Sequence, residues 1–453
     1  MVSFKKISKK GGKEMARRKS IGIRSRLKGL ISSQLLGKLA RESGFVKRLR
    51  KIDPVKFFWT LVLGFATGRE RQIAGLRRAY QGSTGTHVVP SSFYDRFSPS
   101  LVTYLKLVLG HLVDTVAAPT HALRGTLKWL KDLLVIDATV IRLHHVLKNA
   151  FAACRTNHTQ AAAKLHVVMS VLGRGPHTVK ITSERTHDSK KLIVGPWCRD
   201  RLLVFDLGYY RFGLFDAIRR NGGYFLTRLK ANANPIITAL HRSYRGNSVA
   251  VVGEYLQDVL PRLKRSVLDA EMEFTFRRRV YGGVRATAHV RFRVVGILNE
   301  ETNQYHLYVT NLPVDQISAE DVALIYRARW EVELTFKHLK SSFRLEDIPS
   351  EKKHIVEALI YASLLTLIAS KELLQAVREK LRSEGRRIKE GRWVRLFNCF
   401  ADRILLMVNS APRHARHLAR LLEPLLLQEI LDPHKNRPGL LDQVQNGTTY
   451  ARA

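Results

Sequence analysis

Between about Lys128 and Lys230 the chain alternates short apolar runs with turn residues, and that order constrains its fold more than any other feature. LLVID (133–137) and RLLVFD (201–206) are apolar runs that each end in an aspartate, Asp137 and Asp206. KLHVVMSVLG (164–173) and HTVKITSER (177–185) flank Arg174, Gly175 and Pro176 and read as a hairpin. GLFDAIRRNGG (213–223) reads as a helix with glycines past its end, and YFLTRLK (224–230) as a further strand. Strand, hairpin, strand, helix, strand predicts an α/β layer on a mixed sheet.

Other patterns flank this core. At 453 residues the chain has room for roughly three domains. Residues 1–20 show no apolar periodicity and are expected to form a basic flexible arm. Residues 21–120 read as a helical region, with Phe57, Leu61 and Phe65 beside Trp59, Val62 and Leu63 supplying an apolar face. A loop, QGSTGTHVVP, follows at 81–90, after which Ser91 or Ser92 could N-cap a helix presenting Tyr94, Asp95 and Arg96. That order fits a DNA-reading helix pair, and it fits an ordinary helical hairpin more simply. The core itself is expected to begin at 121–230. Residues 231–318 alternate polar and apolar side chains, with turns at Gly282–Gly283 and Asn299–Thr302, and predict a β-rich insertion. Helical periodicity resumes at Ser318, so 319–350 is expected to return to the core as a helix. Residues 351–432 read as mainly helical and 433–453 as a tail.

The charge narrows the function. Lys and Arg number 77 against 38 Asp and Glu, a formal net charge of +39 and a pI near 10.5. Self-repulsion on that scale is relieved by a polyanion, which points to nucleic acid or an anionic surface. Seventeen of the basic residues fall in 1–51, opposed only by Glu14 and Glu42. With 45% hydrophobic residues the chain can bury a sizeable core. Cys154, Cys198 and Cys399 are too scattered for a disulfide scaffold or a zinc pair. The basic N-terminus lacks the apolar run and cleavage site of a secretory leader. The apolar stretches Phe57–Ala66 and Val356–Ala369 fall short of the roughly 20 residues of a membrane span. A cytoplasmic, nucleoid-associated protein without a membrane partner is expected.

Asp137 and Asp206 are the first candidates for chemistry. A carboxylate at the end of a strand in an α/β sheet can meet a ligand, and two such carboxylates repel unless a cation lies between them. Either aspartate alone also fits an ordinary turn. The second candidate is LIYRARWEVELTFKHLK (324–340). On a helix, Tyr326, Arg329, Glu333, Lys337 and Lys340 share a polar stripe about 80° wide. Ile325, Val332, Phe336, Leu339 and Phe343 form an apolar stripe beside it. A phenol, several cations and one carboxylate in line suit a DNA backbone running past a metal. A solvated helix with i,i+4 pairs such as Glu333 with Lys337 explains the charges, but not Tyr326 and Trp330 beside them.

Tyr326, Arg329, Glu333 and Lys340 follow one another as Y-(2)-R-(3)-E-(6)-K, and this resembles the signature of DDE transposases of the insertion sequence 4 family. IDAT at Asp137, VFDLGYY at Asp206, the FLTRLK strand and the pair His187–Asp188 are similar to that family too. The resemblance spans about residues 90–370. It implies a ribonuclease-H-like mixed-sheet core with helical N-terminal and C-terminal regions. It makes Asp137, Asp206 and Glu333 the catalytic carboxylates, holding two Mg²⁺ ions, or Mn²⁺ in their place. Tyr326, Arg329 and Lys340 would grip phosphates. Lys337, Trp330, Arg228 and Lys230 are further candidates for DNA contact. The implied activity is cut-and-paste transposition on double-stranded DNA, acting at terminal inverted repeats and target DNA, with a homodimer in the synaptic complex. A non-catalytic DNA-binding regulator and another ribonuclease-H-like nuclease are the alternatives. Asp188 lacks the strand-end pattern and stays outside the expected triad. His144–His145 and His414 with His417 have no acidic partner at ligand spacing.

Overall fold

The computed structural model describes residues 20–431 and 443, except 49–50, 68–71, 117, 120–121, 155–158, 174, 189–190, 243–250, 278–285, 344, 346–347, 349, 383–385, 387 and 389. The expected basic arm and tail, Ser20 and Gln443 apart, and the Gly282–Gly283 turn lie outside these residues. The chain divides into two compact units, one drawn from residues 1–108 and 357–435, the other from 109–356 and 436–453.

The N-terminal helices are α1 (Ile23–Leu30), α2 (Ser33–Glu42), α3 (Pro54–Thr60), α4 (Ile73–Thr84), α5 (Pro90–Tyr94) and α6 (Pro99–Val116). Sequence sets their ends. The Asp53 carboxylate accepts the N–H groups of Val55 and Lys56 at 2.9 and 2.8 Å, and Pro54 takes the first helical position. Helix α4 absorbs the first four residues of the expected 81–90 loop, and Gly85, at φ 70°, ends it. Helix α5 starts at Pro90 after Val89, so neither Ser91 nor Ser92 caps it.

The other unit carries a nine-stranded sheet: β1 (Asp132–Leu143), β2 (Ala161–Ser170), β3 (Pro176–Ser183), β4 (Arg201–Phe205), β5 (Tyr224–Arg228), β6 (Ile236–Leu240), β7 (Val267–Arg277), β8 (Thr287–Asn299) and β9 (Gln304–Thr310), in the order β3-β2-β1-β4-β5-β9-β8-β7-β6. Strand β2 pairs antiparallel with β1 and β3, while β1, β4 and β5 run parallel. This is the mixed sheet of a ribonuclease-H-like core. The crossover from β4 to β5 is helix α7 (Phe212–Arg220), ended by Gly222 at φ 72° and the Gly223 N–H bond to Ile218. Among the described residues the β-rich segment joins the same sheet: β9 pairs antiparallel with β5 and carries β8, β7 and β6 outward.

Side-chain alternation sorts the core into two layers. Leu134, Ile136, Leu203 and Phe205 pack on one face with Tyr209, Phe215 and Phe225. Leu133, Leu202 and Val204 pack on the other with Val322, Ile325 and Tyr326. The helix on this second face is α8 (Ala319–Tyr326), N-capped by the Ser318 hydroxyl. A 3₁₀ turn at Arg327–Arg329 joins it to α9 (Trp330–Lys337), which passes into a π-helical turn at His338–Ser342.

The last helices are α10 (Lys353–Arg382), α11 (Glu390–Asn409) and α12 (Pro412–Glu429). Within the helical unit, N-terminal and C-terminal helices share one core. The Thr366 hydroxyl donates to the Val62 carbonyl, and Glu423 accepts from the Ile21 N–H at 2.8 Å. Helix α10 is long and apolar enough to cross a membrane by length and composition, but its most apolar window is 78% buried in the structure. It is longer than the apolar stretch at 356–369 because polar residues such as Lys371 and Glu372 extend it.

Candidate active site

The site begins with strand register. Strands β1 and β4 pair in parallel from Asp132 with Arg201 to Ile136 with Phe205. The next residues along the two strands are Asp137 and Asp206, near enough for their charges to interact. Asp206 ends its strand as expected, whereas Asp137 lies inside β1, which runs on to Leu143 by pairing with β2. It is the end of the β1–β4 pairing, not the end of β1, that frees its carboxylate. Both aspartates continue the alternation of Leu133, Leu202 and Val204, the layer covered by α8.

Glu333 arrives from α9, which packs against β1, with the Thr335 hydroxyl 3.7 Å from the Met169 sulfur. Arg329 links the groups: its Nη1 lies 2.5 Å from Glu333 Oε1 and 3.8 Å from Asp137 Oδ2. Burial pushes the Asp137 carboxyl up to about 7, the charges of Asp206 and Glu333 adding to the rise while the Ala138 N–H and Arg329 oppose it. Burial also raises Asp206, and the Gly208 N–H and Arg329 pull it back.

Tyr326 and its neighbours form the wall. The tyrosine is 8% exposed, and both Arg329 and Arg228 stand over its ring, at 5.7 and 6.0 Å. Trp330 is 56% exposed and Lys337 is exposed, while Lys340 is half-buried in the π turn. The expected unbroken helix over 324–340 is therefore a helix, a 3₁₀ turn, a helix and a π turn. Ile325, Phe336, Leu339 and Phe343 are buried as expected, and the side chain of Val332 lies outside the described residues. Lys230 is turned toward Tyr210, 5.1 Å over its ring, away from the Tyr326 cluster.

Sequence reasoning left Asp188 outside the expected triad. Its Oδ1 lies 3.1 Å from Lys164 Nζ and 3.5 Å from His166 Nδ1. A side chain placed on Gly208 would meet both Asp206 Oδ1 and Asp188 Oδ2, at 3.0 and 3.1 Å. The only sequence signal was the His187–Asp188 pair.

Oxygen-only donors of this kind suit a hard divalent cation, and the Arg329 guanidinium stands in for positive charge between two of them. Among the described residues no three such side chains are close enough to hold an ion as they stand. The β1–β4 junction of this sheet thus brings carboxylates, an aromatic ring and arginines together.

The sequence matches the family described as Transposase DDE domain over residues 128–369, more than half of its length, and the chain belongs to that family. It is 23% identical over 436 residues to a transposase for the insertion sequence element IS231F of Bacillus thuringiensis subsp. israelensis, covering 89% of this chain and 90% of that protein. It is 21% identical over 422 residues to the IS231B transposase of Bacillus thuringiensis subsp. berliner, covering 86% and 87%. A shorter stretch of 83 residues is 39% identical to the putative transposase InsL of IS186A from Escherichia coli (strain K12), covering 18% and 22%. Among solved structures, a piggyBac transposase synaptic complex with hairpin DNA aligns with a TM-score of 0.46 and 10% identity, covering 94% of this chain and 88% of that one. The family implies a divalent metal and DNA as a partner.

Proposed function

We propose that the chain is the transposase of an insertion sequence, cutting and joining DNA with Asp137, Asp206 and Glu333 as its catalytic carboxylates. The observation that carries this reading is the one-step register of Asp137 and Asp206, with Arg329 tying Asp137 to Glu333. Two divalent cations, Mg²⁺ with Mn²⁺ in its place, would be held by these carboxylates and would activate water or a 3′-hydroxyl while stabilising the leaving 3′ oxygen. The chain's own groups do the positioning. Tyr326 sets the wall beside the carboxylates, and Arg329 and Arg228 over its ring offer paired cations to a phosphodiester. Lys340 and Lys337 add charge along the duplex, and exposed Trp330 offers a face to a base. The basic helices of residues 21–120 are the candidate DNA-binding region, reading terminal inverted repeats. A synaptic homodimer holding two ends, and a cytoplasmic site of action on the nucleoid, complete the proposal.

The test is end cleavage by the full chain. A labelled duplex bearing the element's own terminus is incubated with and without Mg²⁺, with Glu333→Gln in parallel. Metal-dependent cutting at the element boundary that falls by at least about a thousandfold in the variant supports the reading. Specific binding without cutting by the unmodified chain, in Mg²⁺ and in Mn²⁺, would replace it with the regulator.

A further inference from the structure

A fourth carboxylate reaches the site from the other face of the sheet. Asp137 is paired with Val167, and Asp137, Val167 and Met169 belong to the face met by α9. Lys164 and His166 alternate with Val167 and so point to the opposite face. They hold Asp188 there, through an ion pair with Lys164 at 3.1 Å and a His166 contact at 3.5 Å. Lys164 is itself fixed, donating to the Thr186 carbonyl at 3.2 Å, and His166 shares a hydrogen bond with Thr182 at 2.9 Å. The anchored oxygen is Oδ1, which is buried and has charge compensation without an aligned donor.

The second oxygen, Oδ2, faces Gly208. The Gly208 N–H donates to Asp206 Oδ1 at 3.0 Å, and the vacant Cβ position of Gly208 is 3.1 Å from Asp188 Oδ2 and 3.0 Å from Asp206 Oδ1. Two carboxylate oxygens thus converge on one glycine. A Cβ at 208 would press on both, and the carboxylates would have to give by a few tenths of an ångström. Asp188 is also among the charges that raise the Asp206 carboxyl, behind burial and against the Gly208 N–H and Arg329. Like charges this close weaken the folded state unless a cation arrives to use them. A neutral side chain of the same shape would serve packing alone without that repulsion.

We propose that Asp188 is a positioning residue of the carboxylate site, anchored by Lys164 beside His166 and turned past Gly208 toward Asp206, where it deepens the negative potential that receives a divalent cation. This rests on the reading of Asp137, Asp206 and Glu333 as that site, and it makes the two faces of the sheet cooperate. Glu333 comes from one face, Asp188 from the other, and Asp206 sits between them at the strand end.

The experiment is a Mn²⁺ titration of the full chain, with free Mn²⁺ followed by electron paramagnetic resonance and melting measured without metal. Asp188→Asn is expected to weaken Mn²⁺ binding about five- to fiftyfold with little change in melting temperature, and Asp188→Glu to recover at least half of that loss on a logarithmic scale. Mn²⁺ affinity in Asp188→Asn within about twofold of the unmodified chain, while Asp206→Asn loses it, would overturn the proposal and leave the site intact. Equal losses in the Asn and Glu variants with a lowered melting temperature would also overturn it, because shape rather than charge would then matter. Undiminished Mn²⁺ binding in Asp206→Asn would overturn the underlying site reading instead.

Discussion

Arg329 sets its guanidinium 2.5 Å from the carboxylate of Glu333, one helical turn further along the chain. The same nitrogen lies 3.8 Å from Asp137. One side chain therefore offsets two of three carboxylates that would otherwise repel, and its charge competes with any divalent cation for them. Arg329→Gln removes that competitor. Mn²⁺ binding without DNA should tighten at least about threefold, while end cleavage falls about a hundredfold for want of a phosphate-gripping cation. A Mn²⁺ titration and a cleavage assay on the same preparation read both.

The register of Asp137 and Asp206 makes a paired prediction. Asp137→Asn and Asp206→Asn preserve shape, since the Ala138 and Gly208 N–H donors still find an amide oxygen. Each should lower end cleavage by at least about a thousandfold and leave end binding in EDTA unchanged. Gel-shift and cleavage assays on one labelled duplex check it.

Asp132 predicts a pH effect on stability. It is 1% exposed, and its Oδ1 accepts from Ser170 and Leu133 at 2.9 and 2.8 Å. Burial raises its carboxyl to about 6, against the pull of those bonds and of Arg201. The folded state therefore holds a proton that the unfolded state has released, and stability falls as the pH rises from about 4 to 6 and stays low above. Asp132→Asn keeps both bonds without the charge. It should stabilise the chain by about 1–3 kcal/mol at pH 8 and by little at pH 4, as read from thermal unfolding at both pH values.

Arg293 on β8 binds Asp269 on β7 with two nitrogens, at 2.8 and 2.7 Å, and donates to the Ile317 carbonyl at 2.9 Å just before α8. The pair is almost wholly buried, at 2% and 6% exposed. Arg293→Met strands the Asp269 charge and should cost about 3–5 kcal/mol, most of it recovered in Arg293→Met with Asp269→Leu. Because the arginine also ties the sheet to the helix bearing Tyr326, the double variant should recover stability more fully than cleavage activity.

Exposed Trp330 should behave in the opposite way. Trp330→Ala removes a side chain that is 56% exposed, so the melting temperature should fall only slightly, while affinity for the DNA end falls about five- to thirtyfold through loss of stacking. Binding isotherms at fixed salt check this, since the net charge makes all binding salt-dependent.

Much of the candidate site's geometry was legible because local patterns carried it. Apolar runs with aspartate at their ends placed Asp137 and Asp206, and helical spacing placed Tyr326, Arg329 and Glu333 on one side. The helix over 324–340 was expected to be continuous, and its 3₁₀ and π turns escaped because periodicity over a dozen residues is insensitive to one changed hydrogen-bond step. Asp188 was marked only by the His187–Asp188 pair and lacks the strand-end pattern; its partners Lys164 and His166 sit on another strand.

The sequence by itself determined the period of each element, the chemistry each could present and the excess of positive charge. Alternation, caps and glycines act over a few residues and need no distant partner. Only the tertiary structure decided which elements meet: that β9 joins the β-rich segment to β5, that Ile21 and Glu423 share one helical core, and that Gly208 brings Asp188 to Asp206. Those contacts are set by which buried faces fit together across hundreds of residues, and no local pattern of side chains encodes that fit.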